Sequence, residues 1–494
     1  MTTPALLPIL PLLPLLIGAV VALLMALWSP AGARVVAVVA TASALVASLT
    51  GLLRVVADGP LRHELGGWPP PIGIEYVLDP LSAFMASTIA LVGLLIVIYP
   101  PATAFGSDPV RGQPLHALIL LLLTGLMGVV LSGDLFHLFV FIEIYALATY
   151  PLVALGGDRG VLAALRYLLL GTIGSGLYLL GVGFVYFSTG TLNMADASLA
   201  LAGLSDNPAT LGALALIVIG LALKMALFPL HVWLPDAHSS APPGVAALLA
   251  AVQVKAAAYA LLRIVHDVFG PAYLDGGGIA VTTALTWFGA AGIVVGSVLA
   301  IRQTDIKRML AYSTVAQLGY IGLGIGVGTP LAIVAALLHV LNHAVMKSGL
   351  FLAVGGILDR THLKTIARYA GLGRRMPWTM GGFALLSLSM VGIPPLAGFW
   401  SKWYLIVATL EDGQWPLAVV IGLSSLLTAV YFLRLFERIF VMAPEEPLVA
   451  EATEPRRSIV APVLVLAALV VIIGLGQGVL VREVLLPIAT SLAA

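Results

Sequence analysis

The sequence predicts an all-α polytopic membrane protein of about fourteen transmembrane helices, with two inverted five-helix repeats at its centre. Three observations predict it. Apolar stretches of about 20 residues, the length that spans a bilayer's hydrocarbon core, follow one another along nearly all of the 494 residues. Only 10% of the residues are charged, against about 25% in a soluble domain. The basic residues that do occur crowd onto alternate connections between the stretches.

The first stretch, 5–28, lacks a basic leader and reads as a true span rather than a cleaved signal peptide. The others are expected at 33–56, 77–99, 114–132, 135–155, 162–187, 209–229, 242–265, 279–301, 306–327, 331–357, 377–408, 415–440 and 457–481. Sixteen of the 24 Lys and Arg fall after odd-numbered spans, Arg111, Arg166, Lys307, Arg308 and Arg368 among them. Arg54, Arg62, Arg263 and Arg482 are assigned to the other face, and four lysines remain inside spans. By the positive-inside rule the odd connections are cytoplasmic. Both termini then lie on the outer face of a plasma membrane.

No soluble domain interrupts the chain; its longest polar segments, near 57–76, 188–208, 359–376 and 442–457, have the size of loops. The expected division is an N-terminal three-helix segment (1–112), a first repeat (113–268, spans 4–8), a second repeat (269–441, spans 9–13) and a C-terminal helix (442–494). Spans 7 and 12 carry prolines at corresponding places, Pro229 and Pro235 in one, Pro394 and Pro395 in the other. They lie five spans apart, and because five is odd the two units have opposite orientations in the membrane. Interrupted helices at matching places in inverted halves point to a transport site, since broken backbone survives in lipid only beside protein or water.

Composition excludes several classes. Twenty-four basic against 23 acidic residues give no basic surface for nucleic acid. Without cysteine there is no disulfide, thiolate metal site or cysteine-ligated iron–sulfur cluster. No cofactor fingerprint occurs, so neither a cofactor nor a metal is expected, nor any redox chemistry of the chain's own.

The informative residues are charges inside spans, each costing about 2.5–3.5 kcal/mol at mid-bilayer on insertion scales. Glu143 lies in LFVFIEIYALATY, Lys224 five residues before Pro229, and Lys255 in ALLAAVQVKAAAYALL. Glu143 is the one acid placed deep in a span, so its carboxyl and Lys224 form a pair able to switch protonation state. His339, His343 and Lys347 recur at i, i+4 and i+8 on one helix face. Two histidines with a lysine and no acid make a poor zinc site and a good proton relay. Lys402 follows the second break and reads as the exit group or, between Trp400 and Trp403, as an interfacial anchor. Asp134, His231, Asp236 and His238 near span edges are secondary candidates. So are Ser313 and Gln317, for which water ordering and helix packing are equally good readings.

Four segments carry a family resemblance: LALKMALFPLHVWLPDAHSSAPP (221–243), QTDIKRMLAYSTVAQLGYIGLG (303–324), HVLNHAVMKSGLFLAVGG (339–356) and GIPPLAGFWSKWYL (392–405). They resemble the antiporter-like proton channel superfamily, which includes the pumping subunits of respiratory complex I, membrane-bound hydrogenases and the Mrp cation/proton antiporters. GGWPPPIGIEYVLDPLSAFM (66–85) and TGTLNMADAS (189–198) look most like the Mrp D subunit, whereas HVLNHAVMKSGLF is closer to the complex I and hydrogenase forms. The resemblance implies that Lys224 is the family's broken-helix lysine and Glu143 its partner. It makes Lys255 the connecting lysine, His339, His343 and Lys347 the central relay, and Lys402 the terminal lysine. It also implies partner membrane subunits, protons and Na+ as the ions moved, and an alternative place in a redox complex such as NADH:quinone oxidoreductase.

Overall fold

The helices begin where capping chemistry tells them to. Ser29, Asp79, Asp134, Asn207, Asp305 and Thr329 each accept a backbone N–H of the following first turn, which removes one orphan donor from an apolar surrounding. Four of these caps are followed by a proline, at positions 30, 80, 208 and 330, whose missing N–H costs nothing there.

The computed structural model describes residues 6–99, 114–276 and 280–493. In chain order come α1 (Leu13–Ala26), α2 (Pro30–Asp58), strands β1 (Leu61–Glu64) and β2 (Glu75–Leu78), and α3 (Pro80–Ile98). Then follow α4 (Leu115–Leu131), α5 (Leu135–Ala154), α6 (Asp158–Thr189), the short α7 (Met194–Leu201), α8 (Pro208–Met225), α9 (Trp233–Ser240) and α10 (Pro243–Phe269). The longer helices that follow are α11 (Val281–Ile301), α12 (Ile306–Val327), α13 (Pro330–Thr361), α14 (Pro377–Val391), α15 (Ala397–Glu411), α16 (Trp415–Val441) and α17 (Arg457–Ala493).

Among the described residues eleven helices are long and apolar enough to cross a membrane, and α1, α4 and α14 are shorter apolar helices. They lie along stretches marked in the sequence, with α15 filling the end of the one expected over 377–408. Arg111 and the expected boundary at 112/113 lie outside the described residues.

The segment near 57–76, read as a loop, contains an antiparallel hairpin with Leu61 opposite Leu78 and Glu64 opposite Glu75. Its stabiliser is a buried carboxylate: Glu75 accepts from Arg62 at 2.9 Å and from Asn193 at 2.7 Å. Partners 13 and 118 residues away are invisible to local periodicity.

Burial separates inner from outer helices. The apolar window of α10 is wholly buried and those of α12 and α13 are 89% buried, whereas α2 and α16 bury a third of theirs. Leu53, Phe187, Leu426 and Leu475 point outward from the outer helices, as lipid-facing side chains do. α6 and α8 approach backbone to backbone at Gly174 and Gly220. A Cβ on Gly220 would lie 2.5 Å from the Gly174 carbonyl oxygen, and small residues permit that spacing.

Both expected breaks are present. α8 stops at Met225, with Ala226 left-handed at φ 60°, and the chain turns before α9 resumes. The span expected over 377–408 divides into α14 and α15 around Gly392, φ 95°.

Candidate functional site

The site is built on the two breaks and the three inner helices. Lys224 sits in the last turn of α8, and its side chain is 1% exposed. Its Nζ lies 3.6 Å from Glu143 Oε1 on α5 and has no hydrogen-bond partner. Ser175 on α6 donates a short hydrogen bond to the same carboxylate oxygen. Space for this meeting comes from Gly171, where a Cβ would lie 2.8 Å from Tyr150 OH and 3.6 Å from Lys224 Nζ. The break leaves Leu223 without a continuing helix, and Trp233 Nε1 donates to its carbonyl oxygen at 2.9 Å. Stacking of Trp233 on Tyr167 at 4.2 Å fixes that indole.

Past the break, His238 on α9 is fully buried edge-on to Trp233 and Phe351, with neither ring nitrogen bonded to protein. Lys255, Lys307 and Lys347 are the cations near it. Lys255 follows a π-helical turn, Leu249–Gln253, and donates to the Ala250 carbonyl oxygen within it. Such a turn leaves backbone oxygens off the regular ladder and is common at functional positions. Gln253 in turn joins Tyr167 and Thr149.

On α13, His343 and His339 stack with ring centroids 5.9 Å apart, as their i, i+4 spacing requires. Both nitrogens of His343 and Nε2 of His339 lack protein partners, while His339 Nδ1 meets Ser401 Oγ at 2.9 Å. Lys347, one turn on, donates to the Leu310 carbonyl oxygen at 2.7 Å and to Ser313 Oγ. Lys402 ends the line. Its Nζ donates to the Met390 and Val391 carbonyl oxygens at 2.9 and 3.1 Å, the oxygens freed by the second break, and to Ser425 Oγ at 3.2 Å. It lies 5.1 Å from the Tyr320 ring centroid, which itself is 5.2 Å from His339. Lys402 is only 4% exposed, so the interfacial-anchor reading gives way. The adjacent tryptophans lie on other faces of α15, Trp403 outermost.

The secondary candidates divide. Ser313 is part of the line through Lys347, and Gln317 is buried with both amide atoms unpartnered. Asp134 instead caps α5, accepting from His137 N at 2.7 Å. Asp236 is shared between Arg166 at 2.7 Å and Arg308 at 2.9 Å, tying α6 to α12. His231 stacks on Phe228 inside the break. Lys307, counted as a connection residue, is 3% exposed and donates to the Ala241 carbonyl oxygen. Its one sequence signal is position: the first turn of a helix sends neighbouring Lys307 and Arg308 to different faces. Arg263, also assigned to a loop, is buried in α10 against Asp79. Among the described residues no cluster of three or more His, Cys, Asp or Glu is arranged to hold a metal.

Fold and site together define the class: a helical membrane protein of the antiporter-like kind, with titratable groups strung between two broken helices. The chain belongs to the family described as NADH:quinone oxidoreductase/Mrp antiporter, transmembrane, whose profile matches residues 132–428. It is 47% identical over 452 residues to the N subunit of NADH-quinone oxidoreductase from Desulforudis audaxviator, covering 89% of each chain. It is 31% identical to the D subunit of the Na(+)/H(+) antiporter from Alkalihalophilus pseudofirmus, covering 89% of this chain and 88% of the relative. A chain of the Mrp complex from a Dietzia species superposes with a TM-score of 0.90 at 27% identity, over 100% of this chain and 98% of that one.

Proposed function

We propose that this chain is the proton-translocating membrane subunit of a multisubunit Mrp-type Na+(cation)/H+ antiporter. In this reading a proton enters by the first break, reaches Lys224 and Lys255, crosses the His343–His339 face beside Lys347, and leaves at Lys402. The observation that carries it is the set of titratable groups buried between the two breaks, several with polar atoms that no protein group satisfies. Unpaired buried polar atoms are costly and are normally met by ordered water, and water between such groups is what proton hopping needs. Glu143 biases Lys224: with the carboxylate charged the ammonium is favoured, and with it neutralised the lysine releases its proton into the line.

Fourteen crossings in two inverted five-helix units (113–268 and 269–441), both termini outside and a plasma-membrane location complete the reading. Its support is the two matching breaks and the basic residues gathered on alternate connections. A subunit of this design has no energy source of its own, so other membrane subunits are its partners. The 47% identity to a quinone oxidoreductase subunit favours a second reading, in which the same line serves a redox-driven pump.

One experiment separates them. In everted vesicles from an antiporter-deficient host carrying the chain with its partner subunits, sodium addition without NADH dissipates ΔpH if the chain is part of an antiporter. Absence of a sodium response, with acidification driven by NADH or ferredoxin, assigns it to the redox pump. Lys224→Ala removes whichever response is seen.

A further inference from the structure

A cavity of about 610 Å³ opens at the end of the molecule where the hairpin and the C-terminal helix meet. Arg62, Glu75, Asp79, Asp267, Ile488 and Ser491 lie on its wall, and Arg263 stands among them. Arg263 belongs to the regular α-helical part of α10, Val254–Arg263, which also carries Tyr259 and Lys255. Spacing of four residues puts all three on one face, and two turns, about 12 Å, separate Arg263 from Lys255. The proton station in the middle of the first half therefore lies a short way behind a wide opening. A proton leaving there would bypass the histidines and Lys402.

The side chain between them is the one that cannot relay a proton. Guanidinium is donor-only and stays charged at any physiological pH. Every nitrogen of Arg263 is engaged: Nη1 meets Asp79 at 2.6 Å and Asp267 at 2.8 Å, Nη2 donates to Asp79 at 2.9 Å and Tyr259 OH at 2.9 Å, and Nε donates to Tyr259 OH at 3.2 Å. Tyr259 spends its own proton on the Val130 carbonyl oxygen at 2.7 Å. The Asp267 carboxylate is half-exposed toward the cavity, whereas Arg263 is 10% exposed. Carboxylates thus face the opening, and a fully committed arginine–tyrosine pair faces Lys255.

We propose that this cavity is a dead-end vestibule and that Arg263, clamped by Asp79, Asp267 and Tyr259, is the plug that keeps the proton on Lys255 from leaving through the first half. The inference rests on the proton path proposed above. The test is passive proton leak, read as ΔpH decay in vesicles holding the assembled complex without sodium or reductant. Arg263→Gln combined with Asp79→Asn removes the guanidinium without stranding Asp79, and asparagine keeps the cap on α3. Leak is expected to rise by about tenfold, the scale of one removed charge barrier, and adding Lys255→Ala returns it to the parent level. An assembled double variant no leakier than the parent overturns the plug, as does a leak indifferent to Lys255.

Should the double variant fail to assemble, Ser491→Cys decides in this cysteine-free chain. A membrane-impermeant cationic thiol reagent added from the outer side should modify it fully without slowing translocation. An unreactive thiol, or translocation lost on modification, overturns the dead end. Translocation by the parent complex, and its loss in Lys224→Ala, tests the underlying path separately.

Discussion

Lys224 and Glu143 meet at 3.6 Å across α8 and α5 with unequal access: the ammonium is sealed at 1% exposure, the carboxylate open at 29%. The two partners therefore answer to different surroundings. Glu143 is the acid that faces the sealed Lys224 ammonium, and it stands at the edge of the chain, open to groups outside it.

Lys224→Ala and Glu143→Ala should each cut ΔpH-linked translocation about a hundredfold or more, the scale on which a positioned acid–base group acts, with normal assembly. Dye quenching in everted vesicles, set against subunit content on native gels, reads both quantities. Normal rates in both variants would sink the path.

Lys402→Arg keeps a cation on the Met390 and Val391 carbonyl oxygens but installs one that does not release its proton. Assembly should be retained and translocation should fall by at least about tenfold. A rate equal to the parent's would reduce Lys402 to a structural cap on the second break.

His343→Leu tests function against stability. The imidazole is fully buried with neither nitrogen bonded to protein, so an apolar side chain of similar size leaves no protein donor or acceptor stranded. The variant should assemble, melt close to the parent temperature and translocate poorly. A parent-like rate would remove His343 from the path.

Gly220→Ala should act through packing alone. The added methyl meets the Gly174 carbonyl oxygen at 2.5 Å and Tyr178 N at 2.8 Å, an overpacking worth about 1–3 kcal/mol. Thermal stability in detergent should drop, and the protein that still assembles should translocate at the parent rate. A parent-like melting temperature would show that α6 and α8 separate easily.

Outside the spans, Arg368 donates to both oxygens of Glu446 at 2.6 and 2.9 Å, holding that carboxyl below its ordinary range. A depressed carboxyl contributes stability that is present above its unfolded pKa and lost as pH falls through the lower, folded one. Protease cleavage near 442–446 should therefore be suppressed at neutral pH and increase on acidification below about pH 4 or in high salt. Glu446→Gln should show the increase already at neutral pH.

The sequence made the membrane class, the breaks and the placement of the seven central residues within helices legible, because each rests on a local rule. A charge in an apolar run is visible where it stands, and i, i+4, i+8 places His339, His343 and Lys347 on one face without reference to the rest of the fold. Arg263 and Lys307 were not legible. Their positions near helix ends are compatible with solvent, and the partners that sequence distance hides are Asp79, 184 residues from Arg263, and the Ala241 carbonyl oxygen, 66 from Lys307. The hairpin was missed for the same reason, since what buries Glu75 is Asn193, 118 residues on.

What the sequence determined by itself, then, is which groups are expensive to place in lipid and on which helix face each one lies, because insertion cost and helical period belong to the chain. Which of those groups meet was decided by the tertiary structure. The Glu143–Lys224 meeting depends on the room that Gly171 of α6 leaves between Tyr150 on α5 and Lys224 on α8, and the inward turn of Lys402 depends on carbonyl oxygens that only the second break sets free. Contacts between distant segments are fixed by packing, and packing has no local signature.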